Sequence, residues 1–266
     1  MWRLPKECSL TIDDIPLWLL FAATILLIVA AVEFGYFLGK TARRKSEDEK
    51  ESPVSAIAGT VLGLLAFILA FTFGIVADRY DARKALVVEQ ANAIRTAYSR
   101  SDFLPAPSRD EAKGLYNDYV AILVEVGRSG SIADNSAQIS ELQSIQQQLW
   151  NLAVEHVRSG DNSDVSASYV ESLNDMGNVL ATRIAVALGS RIPTGLWVVL
   201  YVLVALGMVA VGYQAAIAAS RRSWATVVLA LAFSLVIALI AALDNPERGY
   251  LPVSQQPLID LQSSMK

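Results

Sequence analysis

The chain has 266 residues, 53% of them hydrophobic, and a formal net charge of −4. This apolar content exceeds that of an ordinary soluble domain, and the small net charge gives no indication of a nucleic-acid partner. The single cysteine, Cys8, and the single histidine, His156, exclude an intrachain disulfide and an ordinary zinc site. We therefore expect a membrane protein without a metal ion or another cofactor.

Four apolar segments are each long enough to cross a hydrocarbon layer of ~30 Å as a helix. They stand in two pairs, about residues 15–39 with 54–77, and about 194–219 with 223–243. The first segment is too long for a cleaved signal peptide and more basic on its C-terminal side, so we interpret it as a retained membrane anchor. The predicted fold class is an all-α polytopic membrane protein with two plus two transmembrane helices.

The same pattern divides the chain into four regions. We predict an N-terminal transmembrane pair (1–77), a helical domain outside the membrane (78–192), a C-terminal transmembrane pair (193–243) and a C-terminal tail (244–266). No proline occurs from Val54 to Phe103. The second membrane helix is therefore predicted to continue into the helical domain without a break.

Hydrophobic periodicity predicts three further helices in the inserted domain. One opens at the capping-box sequence Ser108–Glu111, and the others cover about 136–158 and 164–188. Together with the continuation of the second span, they make four amphipathic helices with short connections. Such a set favours an antiparallel helical bundle.

Two short loops predict the orientation of the chain. Their basic residues are Lys40, Arg43, Arg44 and Lys45 after the first span, and Arg221 and Arg222 between the third and fourth. Short loops rich in Lys and Arg stay in the cytoplasm. We therefore expect both termini and residues 78–192 on the extracytoplasmic side of a bacterial inner membrane, facing the periplasm.

No enzyme signature occurs in the sequence. A nucleophile elbow, a P-loop, an H-E-x-x-H motif and a Rossmann glycine pattern are all missing. The sole histidine cannot supply a convincing catalytic triad. We expect that the protein is not an enzyme and assign no catalytic residue.

The second span carries a row of small residues and two phenylalanines at helical spacing. They are Gly59, Gly63, Phe67, Ala70, Phe71 and Gly74, with Ala66 beside them. The small residues indicate a close helix–helix contact. Around an oligomer axis, the two phenylalanines would form an apolar constriction that gates by dewetting. The alternatives are a plain helix seam for the small residues, and ordinary packing or lipid contact for the phenylalanines.

Charged residues mark three further places. Glu33 lies inside the first span. It is interpreted either as a functional carboxylate or as one that pairs with a nearby Lys or Arg. Two clusters follow the second and fourth spans: Asp78, Arg79, Asp81, Arg83 and Lys84, and Asp244, Glu247 and Arg248. In an oligomer these clusters would ring a pore mouth and set ion preference. The alternative is a solvated collar of local salt bridges, each worth ~0–1 kcal/mol.

Three stretches of the chain resemble the bacterial bestrophin-like family of membrane proteins. They cover residues 62–105, 191–197 and 242–261. The most specific positions of the first stretch are Asp78, Arg79, Tyr80, Asp81, Arg83, Glu89 and Asn92, with Lys84 and Asn245 as departures from the usual pattern. The resemblance implies kinship with bestrophins, oligomeric ion channels whose second membrane helix lines the pore. Bestrophins carry their large soluble region in the cytosol, whereas the charge rule places it outside here.

The function predicted from these features is an oligomeric, channel-like membrane protein. Copies of the second helix would surround a pore that conducts small ions, with cations favoured by the acidic collar. The expected partners are the lipid bilayer, further copies of the chain and small ions. The alternative is a non-conducting periplasmic sensing or scaffolding protein that acts through a partner subunit.

Overall fold

The computed structural model describes residues 16–45, 51–129, 135–160, 163–189, 191–218, 224–245 and 250–265. Within these ranges the chain forms eight α-helices and a 3₁₀ turn, Ser101–Phe103, and no strand. The helices are α1 Leu17–Lys45, α2 Glu51–Arg100, α3 Ala106–Ser129, α4 Ser136–Arg158, α5 Asp164–Gly189, α6 Thr194–Ile217, α7 Trp224–Asp244 and α8 Gln256–Ser264. The predicted all-α fold class is confirmed.

Four helices among the described residues are long and apolar enough to cross a membrane. Their spanning segments are Leu17–Arg44, Ser55–Phe103, Thr194–Ile217 and Thr226–Asp244. Each has at least the ~17 residues that the shortest membrane-spanning helices have, so a multi-pass membrane protein with two plus two spans follows. The second of these helices, α2, runs 50 residues without interruption, as the absence of proline predicts.

The chain divides into two compact units. The first, Met1–Ala77 with Ile192–Asn245, contains α1, α6, α7 and the first half of α2, and we call it the membrane unit. In it, α1 packs along α6, and α7 packs on α1. Its buried core contains Ile28, Leu65, Leu200, Met208 and Ile237. Apolar side chains thus fill the space between the membrane helices.

The second unit, Asp78–Arg191 with Pro246–Lys266, contains the rest of α2, α3, α4, α5 and α8, and we call it the bundle unit. Its core joins these helices through apolar residues at helical spacing: Val87, Ile94, Ala112, Tyr116, Leu142, Leu149, Leu173 and Met176. Leu258 and Leu261 of α8 and Met265 belong to the same core. The C-terminal residues therefore complete the hydrophobic core of this unit.

Helix boundaries in the bundle unit follow local chemistry. Helix α4 covers 136–158, as predicted from its periodicity. Helix α3 begins at Ala106, two residues before the predicted capping box, so Pro107 lies in its first turn. Proline is tolerated there because the first backbone N–H groups of a helix have no partner within the helix.

Candidate functional site

Within the membrane unit, α2 has one buried and one exposed face. Ala58, Leu65, Leu69, Thr72 and Val76 form the buried face. On the exposed face, Phe67 and Phe71 have 65% and 62% of their surface accessible. Gly63 and Ala70 are also exposed. The residues predicted to line a constriction therefore lie on a side of α2 that the described part of the chain leaves uncovered.

Within the described residues, the glycines of α2 do not pack against other helices. A Cβ atom added at Gly59, Gly63 or Gly74 would have no described atom, outside its own helix backbone, within 4 Å. Adding a side chain at these positions would therefore cost nothing through contacts inside one copy of the chain. The small residues leave a shallow surface on the exposed face.

The closest helix–helix approach in the membrane unit joins α1 and α6 instead. A Cβ atom on Gly35 would overlap the carbonyl oxygen of Val209, and one on Gly212 would overlap that of Val32. A Cβ atom on Gly39 would lie 2.7 Å from the carbonyl oxygen of Tyr213. The sequence analysis missed this seam, although the small-xxx-small spacing of Gly35 and Gly39 is the signal for it.

The charged residues that follow the second span differ in their solvent exposure. Asp78 and Asp81 are exposed, whereas Arg79 and Arg83 are half-buried. The Lys84 ammonium lies 3.4 Å from an Asp81 carboxylate oxygen. This ion pair is exposed, so it contributes only ~0–1 kcal/mol to stability. The two acidic side chains are thus solvated at the surface of α2.

Asp244 has a different environment from the other members of the predicted collar. Its side chain is only 3% exposed, and both carboxylate oxygens accept the backbone N–H of Ile192 at 3.1 Å. The carboxylate thereby connects the end of α7 to the residues that precede α6. Glu247 and Arg248, the other residues of this cluster, lie outside the described ranges.

Glu33 is exposed on α1. Phe34 and Phe37, on the same side of the helix, are exposed as well. Lys40 follows two turns later, also exposed, about 10 Å further along the helix axis. The carboxylate therefore lies on an apolar surface with a basic residue toward the end of the same helix.

A polar cluster occupies the interior of the bundle unit, and the sequence analysis missed it. The Arg183 guanidinium on α5 donates to the side-chain oxygen of Gln90 on α2 at 2.5 Å. It also donates to the side-chain oxygen of Gln255 at 2.7 Å. The Tyr119 hydroxyl on α3 is buried beside them. The signal for this cluster is Gln90 itself, which shares the core face of α2 with Val87 and Ile94.

The residues described contain no group of three or more His, Cys, Asp or Glu side chains that would hold a metal ion. His156 lies in the last turn of α4, and Cys8 lies outside the described ranges. We therefore assign no residue of this site to a metal ion or cofactor.

Comparison with known proteins identifies one family. The family model of the bestrophin-like domain matches residues 25–258. No curated protein and no solved structure matches the chain significantly. The family match begins inside the first membrane span and extends over the other three spans and the helices between them. It covers the first two stretches in which the sequence resembles this family, and the third as far as residue 258. The chain is a member of the bestrophin-like domain family of membrane proteins.

Proposed function

We propose that the chain assembles as a homo-oligomer in the bacterial inner membrane and conducts small ions, preferentially cations, through a pore surrounded by copies of α2. The observation that carries this proposal is the uncovered face of α2. Seven residues recur at helical spacing along it: Gly63, Phe67, Ala70, Phe71, Gly74, Asp78 and Asp81. Gly74 is half-buried and the other six are exposed in a single copy.

The packing of α2 supports its position at an oligomer axis. One side is held by the chain's own helices, since Leu65 and Leu69 belong to the core of the membrane unit. The other side carries glycine and alanine, which let neighbouring helices approach closely in lipid. Further copies of α2 would cover this side without displacing any contact inside the chain.

Phe67 and Phe71 are the proposed constriction. Their rings lie one helical turn apart on the uncovered face. Repeated around an axis, they would form two stacked apolar rings. A hydrophobic ring of this kind closes a narrow pore by excluding water from it.

Asp78 and Asp81 are the proposed source of cation preference. They follow Phe71 on the same face of α2, about two and three helical turns further along. Lys84 lies 3.4 Å from Asp81 and offsets part of its charge. Asp78 would therefore contribute most of the negative potential at the pore mouth.

The proposed orientation places residues 78–192 in the periplasm. It rests on the basic residues Lys40, Arg43, Arg44 and Lys45 at the end of α1, and on Arg221 and Arg222, which lie outside the described ranges. Ser136 is exposed at the start of α4, and a Ser136→Cys variant in a Cys8→Ser background offers a single labelling site. We expect a membrane-impermeant thiol reagent to label it in intact spheroplasts. Labelling only after lysis would show the inverted orientation.

The test of conduction compares Phe71→Ala with Phe73→Ala in planar bilayers. Phe73 lies about 200° around α2 from Phe71, so it serves as a matched control of the same residue type. We expect currents from the unmodified protein, altered gating or conductance in Phe71→Ala, and unaltered currents in Phe73→Ala.

The mass of the detergent-solubilised complex provides the second part of the test. We expect a homo-oligomer that a Gly63→Leu substitution dissociates, because leucine would fill the shallow surface of α2. A monomer would exclude a shared pore. Electrical silence together with a stoichiometric partner in the purified complex would favour the sensing or scaffolding function instead.

A further inference from the structure

The polar cluster of the bundle unit contains a positive charge that lies among neutral groups. Arg183 donates one hydrogen bond to Gln90 Oε1 and one to Gln255 Oε1. A guanidinium only donates hydrogen bonds, so these contacts fix the orientation of both side-chain amides. Gln255 Nε2 then donates to the carbonyl oxygen of Val253 at 2.9 Å. Two of the five N–H groups of Arg183 are satisfied in this way.

Among the described residues, no carboxylate forms an ion pair with Arg183. Burial lowers the pKa of its guanidinium to about 10, and the Tyr119 side chain acts in the opposite direction. Arg183 is half-buried, so its guanidinium is partly removed from water. Desolvating a cation without a counter-charge is costly, and a nearby anion offsets that cost. The described residues therefore supply no anion of their own to Arg183.

Two buried hydrogen-bond donors lie beside this charge without an acceptor. Gln90 and Tyr119 are both 0% exposed. Gln90 Nε2 and the Tyr119 hydroxyl have no hydrogen-bond partner among the described residues. Even a hydrogen bond from Gln90 Nε2 to the Tyr119 oxygen would leave the hydroxyl proton without an acceptor. Burial raises the pKa of Tyr119, so the hydroxyl keeps its proton at neutral pH.

We propose that Arg183, Gln90 and Tyr119 form a binding site for a small monovalent anion of the halide class, with chloride as the ligand in the cell. Each group is a donor, and they converge from α5, α2 and α3. A buried water would satisfy hydrogen bonds but leave the guanidinium charge uncompensated, whereas a halide does both. The complete burial of Gln90 and Tyr119 favours a monatomic ion over a carboxylate or phosphate group.

The site also explains the close contact between Gln255 and Gly127. A Cβ atom on Gly127 would lie 2.5 Å from Gln255 Cγ, so a larger residue there would force the Gln255 side chain to shift. Gln255 is half-buried and precedes α8. It therefore lies at the solvent-facing edge of the cluster, and the anion would enter beside it. The site lies wholly within the bundle unit, so it does not depend on ion conduction by the membrane unit.

The test measures the thermal stability of the full-length protein in detergent while sodium chloride replaces sodium gluconate at constant ionic strength. A ligand that binds only the folded state raises Tm as its concentration increases. We expect this rise in the unmodified protein, and no rise in Arg183→Gln. In Tyr119→Phe, the half-saturating chloride concentration should increase about tenfold, because one hydrogen bond to a charged ligand is lost.

Arg95→Gln is the matched control, since Arg95 is an exposed arginine on α2 in the same unit. It should keep the chloride dependence of the unmodified protein. An equal dependence in all variants, or none in the unmodified protein, would overturn the proposal. If Arg183→Gln does not fold, Tyr119→Phe still decides the outcome.

Crystals of the unmodified protein grown in bromide provide a direct measurement. We expect an anomalous peak within hydrogen-bonding distance of the Arg183 guanidinium and the Tyr119 hydroxyl. The contrary outcome is a water molecule at this position without anomalous signal, in crystals where bromide is fully occupied elsewhere. It would show that the cluster is a hydrated core and not an anion site.

Discussion

Asp244 and Ile192 are joined by one carboxylate and one backbone amide, with both carboxylate oxygens 3.1 Å from the Ile192 nitrogen. Ile192 is buried, as is Asp244. A buried backbone N–H that loses its acceptor carries the full cost of desolvation. This contact therefore stabilises the packing of the end of α7 against the residues that precede α6, within the membrane unit.

Asp244→Asn keeps one oxygen that can accept the Ile192 N–H but removes the charge, so it should lower the free energy of unfolding by about 1 kcal/mol, the difference between a charged and a neutral hydrogen bond. Thermal unfolding in detergent measures this loss as a lower Tm. Asp118→Asn is the matched control, because Asp118 is exposed on α3. Equal Tm values for the two variants would contradict the assigned role of Asp244.

Gly212→Ala should destabilise the membrane unit by about 1–3 kcal/mol or more through overpacking. The added methyl group would overlap the backbone of α1 at Val32, and backbone cannot move aside as a side chain can. Gly195→Ala, on the same helix, would meet no described neighbour within 4 Å and should be neutral or slightly stabilising. The Tm of each purified variant in the same detergent tests this difference. A stable Gly212→Ala variant would show that α1 and α6 separate without cost.

Gln255→Ala should loosen the C-terminal segment of the bundle unit. The substitution removes an acceptor of Arg183 and the packing against Gly127. Hydrogen exchange of the α8 backbone should become faster, because its docking loses these contacts. Gln256→Ala is the control, since Gln256 is exposed and its side-chain amide donates to Asp260 within α8. Equal exchange in both variants would show that the core residues of α8 alone hold it in place.

Three buried tyrosines of the bundle unit predict a loss of stability in alkali. Burial raises the pKa of Tyr116, Tyr119 and Tyr169 in the folded protein. The unfolded chain releases these protons near pH 10, so it binds fewer protons than the folded chain above that pH. The contribution of these three tyrosines to the free energy of unfolding is therefore fully present below about pH 10 and is lost as the pH rises further. Arg183, with its pKa lowered to about 10, acts in the opposite direction, but it is one group against three.

Absorbance at 295 nm measures this effect. At pH 11 the folded protein should ionise fewer of its 9 tyrosines than the detergent-denatured chain does at the same pH. The deficit should shrink in a Tyr116→Phe/Tyr169→Phe variant. Ionisation of all the tyrosines while the helical circular dichroism signal persists would contradict the burial of these hydroxyls.

The acidic residues of α2 predict a change in ion selectivity, if the proposed pore conducts. Asp78→Asn/Asp81→Asn should lower the cation-to-anion permeability ratio measured from reversal potentials under a salt gradient. The change should be larger at 0.1 M than at 1 M salt, because the Debye length falls from about 10 Å to about 3 Å. Asp118→Asn should leave the ratio unaltered. Unaltered selectivity in the double variant would show that Asp78 and Asp81 do not lie at the mouth of the pore.

Much of the architecture follows from local patterns in the sequence. The four spans follow from the length of their apolar segments, and the continuity of α2 follows from the absence of proline between Val54 and Phe103. The bounds of α4 follow from its periodicity. Each of these features depends on residues close together in the chain, for which helix length and hydrophobic spacing are sufficient.

Side-chain neighbours depended on the tertiary structure instead. The glycine spacing in α1 is as informative as that in α2. Only the folded chain shows that Gly35 contacts α6, whereas Gly63 contacts no other helix among the described residues. Arg183, Gln90 and Gln255 are far apart in sequence, and no local pattern pairs them. Residues 244–266, treated as a tail in the sequence analysis, include a helix that completes the bundle core.

The sequence by itself determined which segments are helical and which are apolar enough for a membrane, because backbone hydrogen bonding and hydrophobic periodicity are local properties. Only the tertiary structure decided which face of each helix is covered, because that depends on the packing of side chains from distant parts of the chain. The uncovered face of α2 and the half-buried charge of Arg183 both belong to this second class.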